Sequence, residues 1–141
     1  MIGLISEKGI ENHSVPIIKD KYVAHHANLG GGYIIYLEEI DVNKAMDVLN
    51  RTPGVDAALS SEDAVNKFHL NAGRIGQIVV NANKDTVFGN TDEIELPSGL
   101  RSHGSEHERD VPIIGYNLQN KEFEFRENRD IGRYVINVLE L

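Results

Sequence analysis

The sequence predicts an α+β fold, and three observations carry this prediction. Short runs rich in β-branched and aromatic residues at 33–37, 55–59, 78–80 and 86–88 are typical of strands. The segments between the first three runs repeat apolar residues every three or four positions, which indicates amphipathic helices. With 141 residues, the chain has the length of one domain or of one lobe of a larger domain. The predicted order is therefore a β-α-β-α-β-β layer built on one sheet.

The first predicted helix follows the strongest strand of the sequence. Residues 33–37 (Tyr-Ile-Ile-Tyr-Leu) are apolar on both faces, which is typical of a central strand. Asp41 is placed to cap the helix that follows, and Thr52-Pro53-Gly54 ends it. The apolar face of this helix consists of Val42, Ala45, Met46 and Leu49.

The second predicted helix begins at Ser60 or Ser61, either of which can cap it. It continues to Phe68 and turns three apolar side chains inward, namely Ala64, Val65 and Phe68. The strands at 55–59 and 78–80 lie on either side of it in the sequence. Each helix is therefore expected to cover the sheet with one apolar face.

Two segments before this layer have weaker patterns. Ile2, Leu4 and Ile5 are compatible with a short edge strand or a packing arm, and Lys8-Gly9 is typical of a turn. Gly30-Gly31-Gly32 lacks the Lys-Ser/Thr ending of a phosphate-binding loop and the spacing of a dinucleotide fingerprint. We therefore interpret the three glycines as a flexible connection.

The last third of the chain begins with a polar loop that contains two histidines. It leads into an apolar run at 111–116, where Pro112 suits the first residues of a strand. A second short strand is predicted at 123–125, and Asn128 or Asp130 can cap a final helix. One face of that helix carries Ile131, Val135, Val138 and Leu139, and this face needs a packing partner.

Composition excludes several classes of function. The chain has 14 basic and 22 acidic residues, and its net charge of −8 argues against binding to nucleic acid or to anionic membranes. The absence of cysteine excludes disulfides and cysteine-ligated zinc. No secretory signal and no apolar run of the ~18 residues that a membrane span needs is visible. A cytoplasmic protein is the expectation.

The polar loop holds the residues with the clearest chemical potential. His103 lies between Ser102 and Gly104, and small neighbours let backbone approach it closely. Arg101 could clamp an anionic group or pair with a nearby acid. His103 and His107 also fit the H-x-x-E-H pattern of some zinc proteases, but that mechanism requires a helix, which Gly104 and Ser105 disfavour.

Two stretches of this sequence resemble one enzyme family. The sequence is similar to the C-terminal portion of phosphonoacetate hydrolases in two places. These are Ser102-His103-Gly104 followed by Val111-Pro112-Ile113, and residues 16–30. These hydrolases belong to the alkaline phosphatase superfamily, in the type I phosphodiesterase/nucleotide pyrophosphatase group. The resemblance implies that 1–141 is one domain or lobe of a larger hydrolase. It also implies a ferredoxin-like cap at 33–89 and a remnant of the metal-site lobe at 99–141.

The resemblance also implies a function and a site. His103 would be one imidazole ligand of a zinc ion, and Arg101 and His107 would contact substrate or support the ligand. The family's remaining ligands and its nucleophilic Thr are not matched, so we expect an incomplete site and an inactive isolated chain. The chain would be a fragment or subunit that needs a catalytic N-terminal partner chain or a homo-oligomer. The alternative is a non-catalytic α+β module that self-associates.

Overall fold

The chain folds into two compact units, Met1–Arg109 and Asp110–Leu141. The computed structural model describes residues 2–18, 29–89, 95–97, 99 and 102–139. The first unit contains a sheet with helices, and the second contains a loop region with one helix. The α+β class predicted from the sequence is therefore confirmed. The assignment of 33–89 to a cap and of 99–141 to a metal-site lobe stays a prediction.

The first unit is built on a four-stranded antiparallel sheet. Its strands are β1 (Asn12–Pro16), β2 (Gly32–Leu37), β3 (Val55–Ser60) and β4 (Ile78–Ala82). They lie side by side in the order β1-β2-β4-β3, so β2 and β4 occupy the centre. Ile35 of β2 lies opposite Ile78 of β4 in the register of this central pair. The prediction that 33–37 forms a central strand is confirmed.

Three α-helices lie in the described part of the first unit, and two of them were predicted. They are α1 (Ile2–Glu7), α2 (Val42–Asn50) and α3 (Ser61–Phe68). The Ser60 hydroxyl accepts a hydrogen bond from the Asp63 N–H at 3.1 Å and caps α3. Asp41 precedes α2 as predicted, but its side chain makes no capping bond.

The N-terminal segment is a helix, so the predicted edge strand is wrong, whereas the alternative of a packing arm agrees with the contact that the segment makes with the core. Ile5 is fully buried in the core of the unit, and Ile10 is 1% exposed after the turn. Gly9, with φ of +75°, allows the sharp turn between them. This helix of six residues places Ile5 on the core while Leu4 and Ser6 remain exposed. A segment this short does not define a periodic pattern in the sequence, so the helix was not predicted.

The core lies between one face of the sheet and the helices α1 and α2. The strands contribute Ile35, Ala58, Ile78, Val80 and Ala82, and α2 contributes Ala45 and Leu49, as its predicted apolar face requires. Leu49 and Val80 have no exposed surface. Burial of each large aliphatic side chain contributes about 1.5–3 kcal/mol. This layer is therefore the stable support for the loops around it.

Three strands predicted in the later part of the chain do not form. Residues 86–88 make only an isolated bridge, in which Phe88 pairs with Gly30. Residues 111–116 and 123–125 are not strands. Val111, Ile114 and Tyr116 are 60%, 91% and 89% exposed, and no strand of the described residues pairs with them. A strand is stabilised by its neighbours, and a β-branched run alone does not supply them.

The second unit is organised around helix α4 (Asp130–Leu139). The ring of Tyr134 lies 5.4 Å from the rings of Phe123 and Phe125, centre to centre. The Tyr134 hydroxyl accepts a hydrogen bond from the Gln119 N–H at 2.8 Å. Because Phe123 and Phe125 join this aromatic cluster, the segment folds back on α4 as a loop and not as a strand.

One face of α4 is apolar and exposed. Ile131, Val135 and Leu139 are 47%, 46% and 59% exposed, and Ile136 beside them is 53% exposed. These positions include three of the four that the sequence placed on this face. Exposed apolar patches of this kind mark interaction surfaces more often than isolated exposed residues do. No described helix is long and apolar enough to cross a membrane.

Acid is expected to weaken the start of α4. Hydrogen bonds from the backbone N–H groups of Arg126 and Glu127 lower the pKa of Asp130 below its usual value, and Arg133 adds to this. A depressed folded-state pKa contributes stability above the unfolded pKa, near 3.8, and that stability is lost as pH falls through the folded value. The thermal transition of α4, followed by the NMR signals of the Tyr134 ring, should therefore move to lower temperature on acidification. Asp130→Asn should already show the lowered transition at pH 7, with a weaker dependence on acid. An Asp130→Asn variant that retains the full acid dependence would contradict this assignment.

Candidate metal centre

The His103 loop has a defined local structure. Gly104 has φ of +91°, a conformation that glycine adopts without strain. Ser105 then caps a short 3-10 turn over Glu106–Glu108: its hydroxyl accepts from the His107 N–H at 3.1 Å, and its own N–H donates to Glu108 at 3.0 Å. This is a capping box. The loop is therefore held in one shape by its own residues.

The three glycines form the surface against which this loop packs. The Gly31 N–H donates to the His103 carbonyl at 2.7 Å, and the Gly30 N–H donates to the Phe88 carbonyl at 2.9 Å. A Cβ on Gly31 would lie 2.6 Å from both the Cβ and the nitrogen of Ser105. All three glycines are buried. The interpretation as a flexible connection is therefore wrong, because glycine is needed here for close backbone packing.

The same contacts bear on a phosphate-cradling role for the glycines. The amides of Gly30 and Gly31 already donate to protein carbonyls, so they do not point at an open anion site. This agrees with the weak motif match in the sequence.

His103 is anchored through its backbone and lies at an exposed position. The hydroxyl of the preceding Ser102 donates to the Leu29 carbonyl at 2.5 Å. Together with the Gly31 bond, this fixes the chain on both sides of the His103 Cα, while the residue as a whole remains exposed. A side chain held on a fixed backbone at the surface suits a ligand that must meet groups from elsewhere.

The described donors alone do not fit a zinc ion. Zinc sites use three or four protein ligands at fixed geometry. Across residues 2–18, 29–89, 95–97, 99 and 102–139, no three His, Asp or Glu side chains come together so that they could hold a metal. The structure thus brings His103 into a suitable loop but places no second and third ligand beside it among the residues described.

The other two predicted site residues have different outcomes. Arg101 lies outside the described residues. His107 lies in the 3-10 turn, with its Nε2 3.5 Å from the Asp56 carboxylate of β3. Because His103 and His107 are separated by Gly104 in a left-handed conformation, they do not share the helix face that an H-x-x-E-H protease needs. The structure brings the two histidines onto one loop without forming that motif.

Glu106 is the residue of this loop that the sequence interpretation missed. Its carboxylate contacts Lys67 of α3 at 2.5 Å, Asn81 of β4 at 3.3 Å and Arg109 at 3.6 Å. Lys67 is 39 residues away in the chain, and no local pattern connects the two. The capping box from Ser105 to Glu108 was not predicted either, although its S-x-x-E spacing is a local signal that could have indicated it.

Two solved structures of phosphonoacetate hydrolase from Sinorhizobium meliloti 1021 resemble this chain. One is in complex with phosphonoacetate and the other with phosphonoformate. Sequence identity is 33% and the TM-score is 0.57 in both comparisons. The matched region covers 68% and 67% of this chain, and 24% of the hydrolase chain in each case. No family model matches the sequence.

This similarity identifies a hydrolase-like chain. More particularly, the chain is a partial homologue of the phosphonoacetate hydrolases, and this recognition from the sequence is confirmed. It spans 24% of the length of the hydrolases that it matches.

Proposed function

We propose that this chain is a fragment or subunit of a zinc-dependent hydrolase of phosphonates or phosphate esters, and that it supplies His103 as one metal ligand. The observation that carries the proposal is the docking of the His103 backbone on Gly31, through a 2.7 Å hydrogen bond that only glycine packing permits. The partial homology with phosphonoacetate hydrolase supports the reaction class. Because the loop packs this closely on its support, the backbone position of His103 is fixed.

A partner supplies the remaining ligands in this proposal. One imidazole does not hold zinc, and the described residues contribute no further cluster of donors. A catalytic N-terminal chain, or further copies of this chain in an oligomer, would complete the coordination. When bound, zinc would stabilise the negative charge that develops on oxygen at phosphorus. Without a partner, the chain would be inactive.

Arg101 and His107 are the proposed groups on the substrate side. A guanidinium can bind a phosphonate or carboxylate through two parallel hydrogen bonds, and Arg101 is two residues from the ligand. His107 belongs to the same fixed turn, where Asp56 faces its Nε2 at 3.5 Å.

A second candidate function follows from the exposed apolar surfaces. Residues 111–116 have the composition of a strand but no pairing, and the apolar face of α4 is about half exposed at Ile131 and Val135. These surfaces suit either the missing catalytic chain or another copy of the same chain. If another copy of the chain binds these surfaces, the protein is a non-catalytic assembly module.

One preparation tests the proposal against this alternative. The chain is purified with its natural partners under mild conditions, and zinc per chain, hydrolysis of phosphonoacetate and mass in sedimentation are measured on the same sample. We expect bound zinc and hydrolysis, and both should be lost in His103→Ala. Changes around a ligand alone shift metal affinity by 10–100-fold, so removing the ligand should lower affinity by more than about a hundredfold.

His13→Ala is the matched control, because His13 is an exposed histidine on β1 that contacts the ring of Tyr36. It should retain zinc. Equal zinc in the wild type and in His103→Ala would overturn the proposed role of His103. A homo-oligomer that carries no zinc and hydrolyses nothing would establish the assembly module in place of the hydrolase subunit.

A further inference from the structure

The carboxylate of Glu106 is the meeting point of three elements. It receives the Lys67 ammonium from α3 at 2.5 Å, the Asn81 side-chain amide from β4 at 3.3 Å and the Arg109 guanidinium at 3.6 Å. The side chain of Glu106 is 21% exposed, whereas that of Lys67 is 43% exposed. A carboxylate that is this well shielded interacts more strongly with its partners than an exposed one does.

Asn81 makes this cluster more than a surface ion pair. It is one of two buried polar residues among those described, with 3% exposure, and it belongs to the central strand β4. Alternation along β4 puts it on the face opposite Val80, away from the core of α1 and α2. Its side-chain amide donates to Glu106. The loop is therefore attached to the centre of the sheet and not only to a partly exposed lysine.

The attachment lies three residues from His103. Only Gly104 and Ser105 separate the two residues, and both are held: Gly104 by its left-handed turn and Ser105 by its capping box. The His103 carbonyl is tied to Gly31 on one side, and the Glu106 carboxylate is tied to α3 and β4 on the other. Release at Glu106 would therefore loosen the short segment that carries His103, although the bonds to Leu29 and Gly31 would still hold it in part.

We infer that Glu106 is a positioning residue for His103. It holds the His103 loop on α3 and β4, so that the imidazole is presented from one fixed backbone position. The value of this position for a metal rests on the function proposed above, but the clamp itself does not depend on zinc. The two can therefore be tested separately.

The hydrogen bond between the Gly31 N–H and the His103 carbonyl is a direct reporter of loop docking. Amide hydrogen exchange at Gly31 measures how often the loop opens, and exchange at Val80 in the central strand measures opening of the sheet. In Glu106→Gln, which keeps the size but removes the charge, exchange at Gly31 should accelerate about tenfold, since hydrogen bonds to charged groups are the stronger ones. Exchange at Val80 should not change.

Two further variants sharpen the test. Glu62→Gln removes a carboxylate from the exposed first turn of α3 and should leave Gly31 exchange unchanged. Lys67→Met should accelerate Gly31 exchange, and combining it with Glu106→Gln should add less than the sum of the two effects, because the residues act through one contact.

Unchanged Gly31 exchange in Glu106→Gln would overturn the inference. Equal acceleration at Gly31 and Val80 would also overturn it, because Glu106 would then contribute only to global stability. A clamp confirmed by exchange in a protein that binds no zinc would leave the inference standing as loop positioning and would count against the proposed function alone.

Discussion

Gly31→Ala is expected to detach the His103 loop from the sheet. The added Cβ would lie 2.6 Å from the Cβ and the nitrogen of Ser105, and 3.0 Å from its Cα. Two of these three atoms belong to backbone, which cannot rotate away, so the loop must move as a whole. Overpacking of this kind costs about 1–3 kcal/mol, and urea unfolding should show a loss of that size. Exchange at the residue 31 amide should accelerate as the bond to His103 is broken.

Gly3→Ala is the control for this change. A Cβ on Gly3 would meet no atom within 4 Å, and Gly3 lies in α1. Alanine is favoured over glycine inside a helix, so the free energy of unfolding should stay the same or rise by up to about 1 kcal/mol. If Gly31→Ala were as well tolerated as Gly3→Ala, the close contact between Gly31 and Ser105 would not exist in solution.

The same glycine shows where sequence reasoning fails in this protein. Gly30-Gly31-Gly32 has no local partner in the sequence, and a glycine run is typical of a flexible connection. Its actual role depends on Ser105, 74 positions further along the chain, and the Ser102 hydroxyl likewise reaches back to Leu29. Contacts at such separations leave no periodic signal, so the support of the loop could not be predicted, and the metal role of His103 stays a prediction that rests on resemblance.

Local patterns, by contrast, were sufficient for the central layer. The apolar spacing of α2 placed Ala45 and Leu49 on its inward face, where they are buried, and Ser60 was one of the two caps predicted for α3. These features depend on residues within a few positions of one another. The C-terminal strand predictions failed because Val111 and Ile114 have strand-forming side chains without a neighbouring strand among the described residues.

The strand predicted at 123–125 does not form for another reason. The alternation of Phe123 and Phe125 suits a strand, but Tyr134 on α4 offers both rings an aromatic partner at 5.4 Å. Aromatic pairing contributes about 0.5–1.5 kcal/mol beyond burial, which favours the folded-back loop. A residue eleven positions from Phe123 thus decided the structure of a segment whose own pattern indicated otherwise.

The second large effect is expected for Ile35→Ala. Ile35 has no exposed surface, lies in the central strand β2 opposite Ile78, and packs in the cluster that joins the sheet to α2. Truncating it leaves a cavity that close-packed neighbours cannot fill. The expected loss is about 2–5 kcal/mol in the free energy of unfolding, measured by urea denaturation. A loss of this size is a large fraction of the stability of a domain of this length.

Ile40→Ala is the control, because it makes the same substitution at an exposed isoleucine. Ile40 is the same side chain five positions later, but it is 90% exposed in the turn before α2. Its truncation should change the free energy of unfolding by no more than about 0.5 kcal/mol. Equal losses in the two variants would mean that β2 is not the centre of the sheet.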